Sequence, residues 1–218
     1  IRMYKRMLQS ILKIGLPAGF EAIMYSISNI IVQVSINNFG VDTMAAWTAY
    51  SKIDFIFWMI NSAFGISVMT FVGQNYGAGK WDRIRRGTKI CLGMALISAV
   101  SVSIILMSAE RFLFGIFVND AGVVEIGIHM MNVIAPAYLL FAFIEVFSGA
   151  LRAQGAVVVS TLITMVGICV LRMIWVTLVA AHGTLEQVII CYPITWAAGA
   201  LAMSIYYIYK QRKIFQAR

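Results

Sequence analysis

The 218-residue sequence is 61% hydrophobic, only 12% charged, and carries a net charge of +8. A soluble domain has roughly twice that charged share and fewer apolar residues, so this much apolar surface has no soluble interior to fill and faces lipid. Two histidines and three scattered cysteines (Cys91, Cys169, Cys191), without Cys-x-x-Cys spacing, give no metal-site pattern.

A bilayer-spanning helix needs roughly 20 apolar residues. Six such runs lie near 14–38, 43–75, 84–108, 122–150, 156–181 and 185–209, predicting an all-α polytopic membrane protein. The first follows a basic amphipathic opening without an initiator Met or a signal-type segment, which is expected of a piece of a longer chain. Pro17 is expected to kink this span, and Gly15-x-x-x-Gly19 to bring it close to a neighbour. Asn38-Phe39-Gly40 turns the chain into the second run, which is longer than a bilayer needs and is tilted, kinked or protruding. That run leaves through Gly73-Gln74-Asn75-Tyr76-Gly77-Ala78-Gly79-Lys80. This is no phosphate loop, because Gln74 stands where the first glycine belongs and Trp81 where a hydroxyl residue belongs. Gly73 and Gly77 read instead as close-packing positions. Further turns fall at Asn119-Asp120-Ala121-Gly122, Gly155 and His182-Gly183-Thr184.

Fourteen of the 17 Lys and Arg residues fall on one side of these spans: Arg2, Lys5, Arg6 and Lys13, then Lys80, Arg83, Arg85, Arg86 and Lys89, Arg152, and finally Lys210, Arg212, Lys213 and Arg218. The opposite side has Arg111 against Asp42, Glu110, Asp120, Glu125 and Glu186. Basic residues flanking short loops stay cytoplasmic, so both termini are expected inside a cell membrane. The positive charge therefore reports topology and anionic-lipid contact, and nucleic acid is not implied. No H-E-x-x-H, G-x-S-x-G or glycosidase-like acid pair occurs, so no enzyme chemistry or cofactor is expected.

Glu21, Asp54, Glu145 and Arg172 lie within the spans, where an ionisable group is costly unless paired or hydrated. Asp54 and Arg172 are matched in depth and are expected to form a buried ion pair, with Lys52 within reach of the same cluster. Glu21 and Glu145 have no cation set at their own level; Lys13 and Arg152 lie nearer the interface. These two acids are candidates to take up H⁺ or Na⁺, the alternative being a cavity-facing or helix-capping role. Tyr25, Ser28, Asn29, Gln33, Asn37, Asn61 and Tyr138 are candidates to line a polar cavity. Trp47, Tyr50, Phe55, Phe57, Trp58 and Met59 add surfaces for flat cations.

Several stretches resemble a known family. Lys13-Ile14-Gly15-Leu16-Pro17-Ala18-Gly19, Asn37-Asn38-Phe39-Gly40, Ala46-Trp47-Thr48-Ala49-Tyr50, Phe71-Val72-Gly73-Gln74-Asn75-Tyr76-Gly77-Ala78-Gly79, Ser148-Gly149-Ala150-Leu151-Arg152 and Cys169-Val170-Leu171-Arg172-Met173-Ile174-Trp175 are similar to the C-terminal half of multidrug and toxin extrusion (MATE) transporters. The resemblance implies one six-helix bundle of a twelve-helix antiporter that expels amphipathic cations in exchange for H⁺ or Na⁺. It implies an N-terminal half as partner, small-molecule cations as substrates and the lipid bilayer as surroundings. The acids of the NorM-like branch would fall at Tyr25 and Phe141, one turn from Glu21 and Glu145, so the chain looks closer to the DinF-like branch. Arg152-Ala153-Gln154-Gly155 replaces the usual Arg-Gly-x-Gly. A lipid-linked oligosaccharide flippase of the same superfamily and a non-transporting membrane scaffold or fragment are the alternatives.

Overall fold

The computed structural model describes residues 4–179 and 183–216, apart from the side chains at 6, 10, 14 and 215. Arg2, Arg218, His182 and the end of the predicted fifth span lie outside the described residues, as does the side chain of Arg6. Helix α1 is Lys5–Asn37, α2 is Val41–Gly77 and α3 is Trp81–Ser108. The fourth span is α5 (Ala121–Ile134), a 3₁₀ turn (Ala135–Ala137) and α6 (Tyr138–Ala153), with a short α4 (Glu110–Phe117) before it. The fifth is α7 (Val157–Thr164), a π turn (Met165–Val170) and α8 (Leu171–Leu178). The sixth joins α9 (Leu185–Ile189) to α10 (Cys191–Gln216). Six of these helical segments are long and apolar enough to cross a membrane, as expected.

The sequence explains where the chain turns and breaks. Gly40 (φ 99°) and Gly155 (φ 79°) hold left-handed conformations that other residues adopt only at a cost. The Asp120 carboxylate caps α5 by accepting from the backbone N–H groups of Gly122 (2.8 Å) and Val123 (3.1 Å). Within the fourth span Pro136 supplies no N–H, the backbone tightens into a 3₁₀ turn, and the Ser103 hydroxyl donates to the Ala135 carbonyl at 2.7 Å. Sequence reading overlooked this break, the π turn and α4. Helix α4 rests on α5 through buried Phe114 while Phe112 and Ile116 stay exposed. The π turn packs on α10, where a Cβ on Gly167 would come within 3.3 Å of Gly199 Cα. Its wider i→i+5 coil rotates the face that follows, which carries Arg172.

In lipid, apolar surface gains little by leaving the solvent, so close packing and interhelical hydrogen bonds hold the bundle. The tightest seam is α2 on α6: a Cβ on Gly149 would meet the Gly65 carbonyl oxygen at 2.7 Å. The Ser148 and Ser160 hydroxyls bond at 3.0 Å between α6 and α7. Helix α6 is the centre, contacted by α2, α3, α7 and α10. Helix α1 lies at the edge, against α2 and the fifth span, with Leu16, Phe20, Ile23, Ile27, Ile30 and Val34 exposed along one stripe. The expected close packing of Gly15 and Gly19 is not found. Nothing lies within 4 Å of a Cβ on either; the residues between them, Pro17 and Ala18, carry the partly buried face instead. Gly77 is likewise open, while a Cβ on Gly73 would come within 4.0 Å of Ala153 Cβ.

Candidate functional site

Two cavities open along the face shared by α1, α2, α6 and α10, with Tyr25 in the wall of both. The first, about 500 Å³, lies toward the α1–α2 turn. Tyr25, Asn29 and Gln33 come from α1, at the i, i+4, i+8 spacing that keeps one face. Trp47, Tyr50, Asp54, Phe55 and Trp58 come from α2, and Tyr192 and Trp196 from one face of α10. The rings interlock: Trp47–Tyr192 at 5.8 Å, Tyr192–Trp196 at 5.5 Å and Trp58–Trp196 at 6.0 Å between centroids. Such tilted and edge-on contacts stiffen a wall whose faces attract cations.

Asp54 is the acid of this cavity. One carboxylate oxygen accepts from the Tyr138 hydroxyl and the other from Trp58 Nε1 at 2.5 Å. Tyr138 is itself fixed, stacked on Phe57 at 3.9 Å and bonded to the Tyr50 hydroxyl at 3.1 Å. Arg172 stands behind the opposite wall. It is 0% exposed, with its guanidinium 4.2 Å from the Tyr192 ring centroid and 5.7 Å from that of Tyr25. Its Nη1 donates to Asn29 Oδ1 at 3.0 Å, while Nε and Nη2 have no acceptor among the described residues.

The expected Asp54–Arg172 ion pair is therefore absent. Among the described residues the ion pairs are Arg111–Glu125 at 2.6 Å and Arg152–Glu21 at 2.7 Å. Matched depth gave the two residues one level but not one side of the bundle: Asp54 turns to α6 and Arg172 to α1 and α10. Lys52 is exposed and lines a shallow groove with Gln33, Thr48 and Phe55, outside any ion pair.

The second cavity, about 260 Å³, lies toward the basic end of the bundle. Glu21, Glu145 and Arg152 line it, together with Gly65, Ser148 and Thr164. Arg152 Nη2 reaches both Glu21 oxygens at 2.7 Å, and Thr161 Oγ1 donates to Glu21 Oε2 at 3.0 Å. Glu21 was expected to lack a cation. The long Arg152 side chain spans the difference in depth and pairs with it. Glu145, two turns before Arg152 on the same face of α6, has no hydrogen bond or ion pair among the described residues. Its carboxylate instead lies over Gly65, where a Cβ would overlap it.

The structure sorts the remaining candidates. Tyr25, Asn29 and Gln33 meet at the first cavity, and Tyr138 acts through Asp54 without lining it. Ser28 and Asn61 are buried with unpartnered polar atoms and line neither cavity. Asn37 accepts from Gln33 Nε2 at 2.8 Å near the end of α1. Phe57 and Met59 do not line the first cavity, Phe57 being buried beneath Tyr138 and Met59 exposed on the outer surface. Sequence reading missed Tyr192, Trp196 and Thr161, and missed Arg152 as the partner of Glu21. The i, i+4 spacing of Tyr192 and Trp196 was the available signal for the aromatic wall; no local spacing marks Arg152 as the partner of Glu21, which lies 131 residues away.

Comparison with known proteins places this geometry. The MatE family model matches residues 17–178. The chain is 25% identical over 219 residues to the probable multidrug resistance protein YoeA of Bacillus subtilis, covering 98% of this chain and 47% of that protein. It is 22% identical over 158 residues to human multidrug and toxin extrusion protein 1, covering 70% of this chain and 28% of that protein. An outward-facing multidrug resistance MATE transporter of the MOP superfamily superposes with a TM-score of 0.89 at 16% identity, over 99% of this chain and 49% of that one. The chain thus spans about half the length of the protein it matches over nearly all of its own residues. With six membrane-spanning segments in the shared fold and a family match over most of its length, the chain belongs to the MATE (MatE) family of multi-pass membrane proteins.

Proposed function

We propose that this chain is the C-terminal six-span half of a cation-coupled antiporter that exports amphipathic cationic drugs across the cell membrane. Its basic end, with both termini, faces the cytoplasm. The carrying observation is the Glu145 carboxylate, which has no hydrogen bond or ion pair among the described residues and sits in a cavity that shares Tyr25 with an aromatic, Asp54-bearing cavity. A desolvated acid with no ion pair of its own is stabilised by taking up H⁺ or Na⁺. The aromatic faces and Asp54 suit a flat cation, held against the rings. Ion and drug then favour different states of the same face and exchange through it. An N-terminal half would cover this face, and the open Gly15 and Gly19 positions and the exposed α1 stripe leave room for its helices. The concentration of basic side chains at one end supports the orientation.

In the intact protein, Glu145→Gln should lower ethidium efflux at least tenfold at unchanged membrane expression. Glu21→Gln, which removes an acid already held by Arg152, should lower it less. Normal efflux in both variants would remove these acids from the mechanism.

A further inference from the structure

A third cavity, about 330 Å³, lies at the basic end between α3 and α10, away from the two transport cavities. Both helices pack along α6 and not closely on each other, which leaves a groove between them. Arg85 and Lys89, one turn apart on α3, line one wall; Tyr207, Ile208, Gln211 and Arg212 of α10 line the other. The α10 wall is fixed in place. Tyr207 stacks on Phe147 at 4.5 Å, Gln211 Nε2 donates to Gln154 Oε1 at 3.0 Å, and Lys210 is drawn to the Gln154 carbonyl at 3.0 Å. Among the described residues no acidic side chain lines the groove; Asp82, the nearest acid along α3, is not among its walls.

Basic loops alone satisfy the rule that sets membrane orientation, and that rule asks for no convergence. Here three cations from spans far apart in sequence meet around one apolar-sided groove. We propose that it binds the phosphate of an anionic phospholipid headgroup: the Arg212 guanidinium suits bidentate contact with phosphate oxygens, Lys89 and Arg85 add positive charge from the opposite wall, and Ile208 borders the acyl chains. The proposal rests on the spans lying in a bilayer and not on the antiport reading, so either can fail alone.

The test is native mass spectrometry of the intact protein in detergent, titrated with phosphatidylglycerol or phosphatidylcholine. Each removed cation should weaken phosphatidylglycerol binding about fivefold, so Arg85→Gln/Lys89→Gln/Arg212→Gln should weaken it on the order of a hundredfold. Lys80→Gln/Arg83→Gln/Lys213→Gln removes the same charge from outside the groove and should stay within about twofold of the parent. Arg212→Gln alone, a single exposed change, should show the fivefold loss even if the triple variant folds poorly. Equal losses in both triples, no loss in either, or an unchanged Arg212→Gln would overturn the site. So would equal affinity for phosphatidylcholine. Inorganic phosphate that binds alone with the same sensitivity to the variants, and displaces the lipid at millimolar concentration, would overturn the lipid assignment.

Discussion

The two cavities along the shared face hold acids in opposite ways. Asp54 is gripped at both oxygens by donors that are themselves wedged among rings, so its position is fixed by Tyr138 and Trp58. Glu145 lies against the bare backbone of Gly65 with nothing donating to it among the described residues, while the nearby Arg152 is committed to Glu21. A carboxylate with its hydrogen bonds filled helps shape a site; one with none left is available to a mobile ion. That difference, more than the presence of acids in the membrane, is the basis for proposing drug contact at one cavity and ion uptake at the other.

The contrast can be broken at several points. The largest expected effect is on Arg152. Arg152→Gln leaves Glu21 without its counter-charge in a mostly buried setting, and thermal unfolding of the intact protein should report a loss of about 3 kcal/mol. Adding Glu21→Gln should recover much of it, because the neutral pair no longer strands a charge; additive losses would mean the pair is not the source. Next is Gly65→Ala, whose methyl group must push the Glu145 carboxylate aside. Because the obstacle is the end of a flexible side chain, expression should hold while ethidium efflux falls about tenfold, or about 1.4 kcal/mol in barrier terms. Unchanged efflux would show that the position of Glu145 over Gly65 is immaterial. The smallest effect is expected from Tyr138→Phe. Asp54 keeps its bond from Trp58, so drug affinity in equilibrium binding should weaken only about threefold, within the 0.5–1.5 kcal/mol typical of one hydrogen bond. A loss of ion coupling instead would reverse the roles given to the two acids.

Much of this architecture was legible in the residues. Long apolar runs fixed the six spans, because lipid forces each backbone polar group to be satisfied within its own helix. The lopsided Lys and Arg placement marked one end of the bundle. The interior breaks were harder: Pro136 and the Met165–Val170 turn interrupt apolar runs without interrupting hydropathy. The Asp54–Arg172 expectation failed for a geometric reason. Counting residues gives depth along a helix but not which neighbour a helix turns its face toward, and the π turn further rotates Arg172. The Glu21–Arg152 pair was hidden for a related reason, since depth at Cα ignores the reach of a guanidinium on its stem. Helix α1 shows a third limit. Its glycine spacing announced a close neighbour, yet the described chain provides none at Gly15 or Gly19. The Arg152-Ala153-Gln154-Gly155 turn is tight despite lacking the first glycine of the family pattern. Gly155 takes the left-handed conformation, and Gln154 is buried and bonded to α10.

The separation of ion and drug roles is tested most directly in proteoliposomes of the intact protein, comparing drug uptake driven by an imposed H⁺ or Na⁺ gradient with drug–drug exchange in its absence. Glu145→Gln should abolish the response to the gradient while exchange persists, and Asp54→Asn should weaken drug affinity in both modes while leaving the gradient response in place. Gradient-driven uptake that survives Glu145→Gln and disappears in Asp54→Asn would contradict the account.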